Sequence, residues 1–283
     1  MLTTAALILI LTSKVVLGWV RLDYESVYYC TSIITDDLKL LFLIVQDDRE
    51  PVKGEIYPLD MAPDSVDDRY DGCASNMEIL VRTKYLIKEI TTNISYFGGA
   101  WMYSTGQIPG PDKLKMHHLV AIYTYSISGL YTKFNPDVRT GRKKYKDETY
   151  TWYSLHFFLT EAIQILKKTQ NKCIKTYRGT RLTFDDNVLN KHIRFGSFAS
   201  SSLKQEVAVK FGNESCFEIK TCYGADVSKY SQYPHEKEVL IPPYETFQVT
   251  AIMKKDQKKS AWCKTVFRLK SSGFRSDLNC AMY

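Results

Sequence analysis

The sequence predicts an α+β fold, with helices in its first half and strands in its second. Between Asn76 and Lys168, apolar residues recur near helical period. After Lys168 the segments are short, β-rich and punctuated by turns. The two textures follow one another instead of alternating, and no internal repeat interrupts them, which points away from an alternating α/β sheet. With 283 residues, 45% of them hydrophobic, the chain can bury a substantial core.

Taken in order, Leu2 to Leu11 form an apolar run of signal-peptide length that ends in small residues near Gly18. Lys14 interrupts it, so residues 1–18 read as a signal peptide and not a membrane span. Residues 19–57 stay unassigned. Their stretch "LKLLFLIVQDDRE" fits a strand, a short helix or a second apolar targeting segment. "MAPDSVDDRYDGC" is turn-rich and acidic. "SNMEILVRTKYLIKEI" carries apolar residues at Met77, Ile79, Leu80, Tyr85, Leu86, Ile87 and Ile90, a first helix with Ser75 or Asn76 as N-cap. "GGAWMYSTGQIPGPDK" is a loop by its Gly and Pro. Pro111-Asp112 opens a second helix over 113–133, and 153–168 form a third. "CIKTYRGT", "RFGSFASSSL", "CFEIKTCY", "KEVLIPPYETFQVTAIM" and "WCKTVFRLKS" read as strands.

The net charge is +7, densest at Arg139 to Lys144 and Lys254 to Lys259. Such a balance suits nucleic acid, an anionic membrane or a phosphate-bearing ligand. The charges are scattered and no nucleic-acid motif accompanies them, so a nucleic-acid partner is not expected. None of the seven cysteines has metal-site CxxC spacing, and the five histidines lack ligand spacing, so no metal is expected. An oxidising compartment would pair the cysteines and leave at least one over. Asn93-Ile94-Ser95 and Asn213-Glu214-Ser215 are glycosylation acceptors. The short polar end "SDLNCAMY" lacks the hydrophobic tail of a lipid-anchor signal. The expectation is a secreted, extracellular glycoprotein, a monomer with no stable membrane anchor.

Three stretches carry chemistry. In Tyr177-Arg178-Gly179-Thr180, an arginine lies inside a strand-like segment. Its planar fork matches phosphate oxygens, and Gly179 lets a ligand approach the backbone. The alternative is an edge-strand arginine at the surface. In Ala199-Ser200-Ser201-Ser202, the hydroxyls of Ser200 and Ser202 share one face of a strand and could orient a ligand or a carboxylate. The alternative is a polar turn. In Glu236-Lys237-Glu238, an extended chain would project both carboxylates to one side, before the apolar run Val239-Leu240-Ile241. One could steady developing positive charge while the other takes a proton. The alternative is a solvated charged turn.

In this order, the three stretches resemble the R-S-E signature of the vertebrate arginine-specific ecto-mono-ADP-ribosyltransferases. "APDSVDDRYDGC", "YRGT", "RFGSFASSSL", "IKTCYG" and "EVLIPPYETFQV" are similar to that family's blocks, over 59–280 of this chain. The resemblance implies a catalytic domain over 58–283, a helical half packed on two β-sheets that form an NAD+ cleft. The reaction would transfer ADP-ribose from NAD+, the co-substrate, to arginine side chains of acceptor proteins. Arg178 would hold the NAD+ phosphates, Gly179 would offer backbone groups to the nicotinamide amide, Phe211 would stack on the nicotinamide ring, and Tyr177 would belong to the NAD+ site. Ser200 would position Glu238, the catalytic glutamate, and Glu236 would confer arginine specificity. The family pattern also implies disulfides Cys73–Cys280 and Cys173–Cys222, leaving Cys30, Cys216 and Cys263 unplaced. The runner-up activity is NAD+ hydrolysis on the same fold. A silent recognition module is the third reading.

Overall fold

The structure is a computed structural model that describes residues 55–282 except 109–112, 128 and 256–260. The signal-peptide segment 1–18, nearly all of 19–57, the Pro111-Asp112 helix start and Cys30 lie outside the described residues.

The helical half begins with α1 (Ala74–Leu80), a π-helical turn (Val81–Tyr85) and α2 (Leu86–Thr92). Together they cover the predicted first helix. Its cap is Cys73, not Ser75 or Asn76, and no side chain caps it. A second π-helical turn (Ile94–Gly98) leads into α3 (Gly99–Thr105), inside the predicted glycine-rich loop. The predicted second helix is two helices, α4 (Met116–Ser126) and α5 (Leu130–Thr140). They are split at Gly129, whose φ of +87° leaves the helical region and is open to glycine at little cost. A short α6 (Arg142–Lys146) precedes α7 (Tyr153–Thr169), which matches the predicted third helix. The backbone N–H groups of Tyr153 and Ser154 at the start of α7 donate to the buried carboxylate of Glu89 on α2, at 2.7 and 3.1 Å. A carboxylate there satisfies two orphan donors and suits the helix dipole.

The strands are β1 (Ile56–Tyr57), β2 (Ile174–Thr180), β3 (Thr183–Phe184), β4 (His192–Ile193), β5 (Ala199–Ser202), β6 (Ser215–Thr221), β7 (Ala225–Asp226), β8 (Glu238–Ile241), β9 (Glu245–Lys254) and β10 (Thr265–Phe274). β1 and β3 pair alone, and the other eight run in the order β4-β9-β10-β6-β2-β5-β8-β7. β2 and β6 are matched over seven residue pairs, but β2 and β5 touch at one, Tyr177↔Ser202. The two sheets expected from the sequence are therefore two halves meeting at a one-pair seam. The helices bury one core, which includes Phe134, Tyr145, Phe157 and Phe158 and reaches Leu240 on β8. A second core of Phe217, Ile219, Phe247 and Phe267 fills in around β6, β9 and β10.

The acidic stretch near Asp67 is buried: Asp67 and Asp68 are both 0% exposed. Asp67 forms a fully buried ion pair with Arg194 at 2.5 Å and accepts the Leu278 N–H at 2.9 Å. Arg194 also donates to the carbonyls of Met61, Ala62 and Arg275, so the buried charge is hydrogen-bonded as well as paired. Among the described residues three disulfides form: Cys73–Cys280, Cys173–Cys222 and Cys216–Cys263. The first spans 207 residues, and a loop of that length removes much conformational freedom from the unfolded chain. The third joins two cysteines that the family pattern did not place.

Candidate active site

The seam between β2 and β5 is where the chemistry-bearing side chains gather. β5 pairs with β8 through Ser200↔Leu240 and Ser202↔Glu238, which brings the serine strand beside the glutamate strand. Past Tyr177↔Ser202, β2 and β5 form no further pair, and Arg178 spans the gap. Its Nη1 donates to the Ser200 carbonyl at 2.6 Å. Burial lowers the guanidinium pKa, against the opposing pull of Tyr125, Tyr131 and Glu238. The group stays a cation with four further N–H donors for an anion.

Glu238 is buried, 7% exposed. Burial raises its pKa above the ordinary carboxylate value, and the nearby charge of Glu236 adds to the rise. Hydrogen bonds from the Ser200 and Ser231 hydroxyls and the Arg178 charge pull the other way. Two hydroxyls and a cation thus act on a carboxylate that is short of water.

The three serines divide. Ser200 Oγ lies 3.3 Å from the Tyr125 hydroxyl and reaches Glu238. Ser201 donates to the Val239 carbonyl at 2.8 Å, and Ser202 to the Glu236 carbonyl at 2.6 Å. Only Ser200 orients a carboxylate. Ser202, expected to share that task, pins the backbone that carries Glu236.

The Glu236–Glu238 stretch is not extended. Pro234–Glu236 form a 3-10 turn, and Lys237 has φ of +51°, in the left-handed region. Strand alternation therefore does not govern the pair. Proline presets the turn, and the Leu203 N–H to Lys237 carbonyl bond at 3.0 Å holds it. The Glu236 charge still acts on Glu238 and raises its pKa. Burial raises the Glu236 pKa too, while His235 and Lys210 lower it.

Gly179 sits on β2 with its Cα face covered. A Cβ there would lie 2.4 Å from the carbonyl oxygens of both Ala208 and Gly212. The space that the sequence reading gave to a ligand is filled by the chain's own backbone. Ala208 ends a short helix, α8 (Gln205–Ala208), and Gly212 follows a 3-10 turn (Val209–Phe211) that ends in the half-exposed ring of Phe211. Tyr177 faces elsewhere: its ring lies edge-on to Trp262 with centroids 6.1 Å apart, and Lys175 Nζ is 5.3 Å from its centroid. The structure brings Arg178, Ser200, Glu236 and Glu238 together and leaves the Tyr177 ring outside that group.

Three members of the site carry no sequence signal. Tyr125 on α4 is buried, donates to the Phe198 carbonyl at 3.2 Å and accepts from Asn135 Nδ2 on α5 at 3.2 Å. Burial, then the Glu238 charge, pushes its phenol up to about 12. Asn135 keeps its Oδ1 buried with no partner among the described residues. Ser231, also buried, accepts the Tyr233 N–H at 3.2 Å. Among the described residues, no group of three His, Cys, Asp or Glu is placed to hold a metal ion.

A family model described as NAD:arginine ADP-ribosyltransferase matches residues 59–268. The chain is 39% identical over 201 residues to NAD(P)(+)–arginine ADP-ribosyltransferase 2 of Gallus gallus, covering 68% of this chain and 64% of that one. It is 36% identical over 245 residues to GPI-linked NAD(P)(+)–arginine ADP-ribosyltransferase 1 of Oryctolagus cuniculus, covering 79% and 73%. Its fold is similar to the crystal structure of the mono-ADP-ribosyltransferase ART2.2, with a TM-score of 0.65 and 28% identity over 79% of this chain and 98% of that one. A mutant of ART2.2 crystallised in complex with NAD gives a TM-score of 0.62. The cleft, its buried glutamate and these matches define an ADP-ribosyltransferase fold. The chain belongs to the NAD:arginine ADP-ribosyltransferase family. It spans 64% of the length of the two chicken relatives named arginine ADP-ribosyltransferases 2 and 1.

Proposed function

We propose that this chain transfers ADP-ribose from NAD+ to arginine side chains of extracellular proteins and releases nicotinamide. The observation that carries the reading is the buried Glu238, held by Ser200 and Ser231 and faced by Arg178 across the β2–β5 seam. The chemistry of this donor set fits a dinucleotide. Arg178 offers a forked cation to the diphosphate, and the unpartnered Asn135 Oδ1 offers an acceptor to a sugar or amide N–H or O–H. Phe211, half-exposed at the end of its turn, is assigned to the nicotinamide ring.

Cleavage of the nicotinamide–ribose bond builds positive charge on the sugar. A carboxylate fixed beside it stabilises that charge more in the transition state than in the ground state, with no reorganisation at the moment of reaction. Glu238 does this, and Ser200, itself tethered to Tyr125, keeps it aimed. An arginine guanidinium is a poor nucleophile while protonated. Glu236 attracts the acceptor and takes up its proton as a guanidinium nitrogen bonds to the anomeric carbon and nicotinamide leaves. The raised pKa of Glu236 suits a proton acceptor.

The relatives' names, which include GPI-linked and ecto- forms, support an extracellular setting. Among the described residues no helix is long and apolar enough to cross a membrane. Within that setting we assign a secreted monomer whose catalytic domain covers residues 58–283, glycosylated at Asn93 and Asn213, both of which are exposed.

Arg178→Lys tests the binding half of this account. A single ammonium cannot reproduce the guanidinium fork, so the Kd for NAD+ should rise about tenfold or more by titration calorimetry. Unchanged affinity would remove Arg178 from the dinucleotide site.

A further inference from the structure

We propose that the preferred acceptor arginine lies in an acidic stretch with an apolar residue close to it. This rests on the transferase reading of the same site and names the kind of protein surface that the site takes.

Two segments form the rim at Glu236. Residues 203–211 join it through the Leu203 N–H bond to the Lys237 carbonyl at 3.0 Å. Ser202 ties them together, accepting the Lys204 N–H at 3.0 Å and donating to the Glu236 carbonyl at 2.6 Å. Lys204, Lys210 and Lys237 are all exposed here, and the Lys210 charge already acts on Glu236. None of the three is in an ion pair among the described residues. The exposed imidazole of His235 adds a further cation when protonated. The exposed carboxylate on the same rim is Glu206, so the cations outnumber it.

Beside these lysines stand the exposed apolar side chains of Leu203 and Val209, 38% and 37% accessible. A cavity of about 300 Å³ lined by Gln205, Glu206, Val209 and Trp262 opens on the same short helix. An arginine presented by a basic surface would meet like charge at every approach to Glu236. One flanked by Asp or Glu would pair with the lysines while its guanidinium reaches Glu236, and a neighbouring Leu would cover the apolar side chains. Complementary rims of this kind raise the encounter rate and select partners more than they add raw affinity.

The test compares three acceptors with the whole protein and labelled NAD+. They are agmatine, a single-arginine peptide flanked by Glu and Leu, and the same peptide flanked by Lys and Ser. The acidic peptide should be modified with about tenfold higher kcat/KM than the basic one, and the ratio should shrink in 0.5 M salt. In Lys204→Glu the ratio should shrink at least severalfold, with agmatine transfer showing that the variant is folded. Equal or reversed preference in the parent protein, with agmatine modified, overturns the inference alone. No transfer to any acceptor, agmatine included, overturns the transferase reading and this inference with it.

Discussion

Glu238→Gln should lose nicotinamide release and ADP-ribosyl transfer together, each by about 10³-fold, while NAD+ still binds. Glutamine keeps the size and the hydrogen bond to Ser200 but carries no charge to set against the developing cation. The loss should therefore fall on kcat, read by nicotinamide release at saturating NAD+, with little change in KM. The pH profile of the parent protein checks the same carboxylate. Burial raises its pKa above the ordinary 4.5, and the proposed mechanism needs the ionised form. Activity should be full above the raised pKa and fall as pH drops through it, so the acid limb should sit above 4.5. A limb at or below that value would mean that the charge on Glu238 is not what the reaction needs.

Glu236→Gln should separate the two halves of the reaction. Transfer to arginine should fall by about 10²-fold or more, the usual worth of a positioned general base. Hydrolysis of NAD+ to ADP-ribose should persist, because Glu238, Ser200 and Arg178 are untouched. Measuring nicotinamide and ADP-ribosylated acceptor in one reaction reads both. Normal transfer by this variant would end the division of labour between the two glutamates.

Much of the fold was legible because period and turn chemistry are local. The 3.6-residue period of α7 is unbroken, and the structure keeps it almost to the residue. The second predicted helix failed at Gly129, where glycine's left-handed backbone ends one helix and starts another at no cost in periodicity. The acidic run near Asp67 read only as turn-rich, and its buried pairing was not legible because its partner, Arg194, is 127 residues away. The Arg178, Ser200 and Glu238 stretches could be read because each is a short local pattern. Their closeness could not, since it depends on strand order and on a seam of one residue pair. Tyr125 and Asn135 were invisible for another reason: on an apolar helical face, a tyrosine reads as core. The Glu236–Glu238 pair was noticed through strand alternation, which the left-handed Lys237 breaks. Ser202 then supplies, by its bond to the Glu236 carbonyl, the positioning that alternation does not.

The most direct measurement incubates the purified, oxidised protein with labelled NAD+ and agmatine and resolves the products. ADP-ribosyl-agmatine, formed with one nicotinamide released per transfer and lost in Glu236→Gln, is the predicted result. Free ADP-ribose alone, from protein shown to be folded, would contradict it and leave a glycohydrolase on this fold.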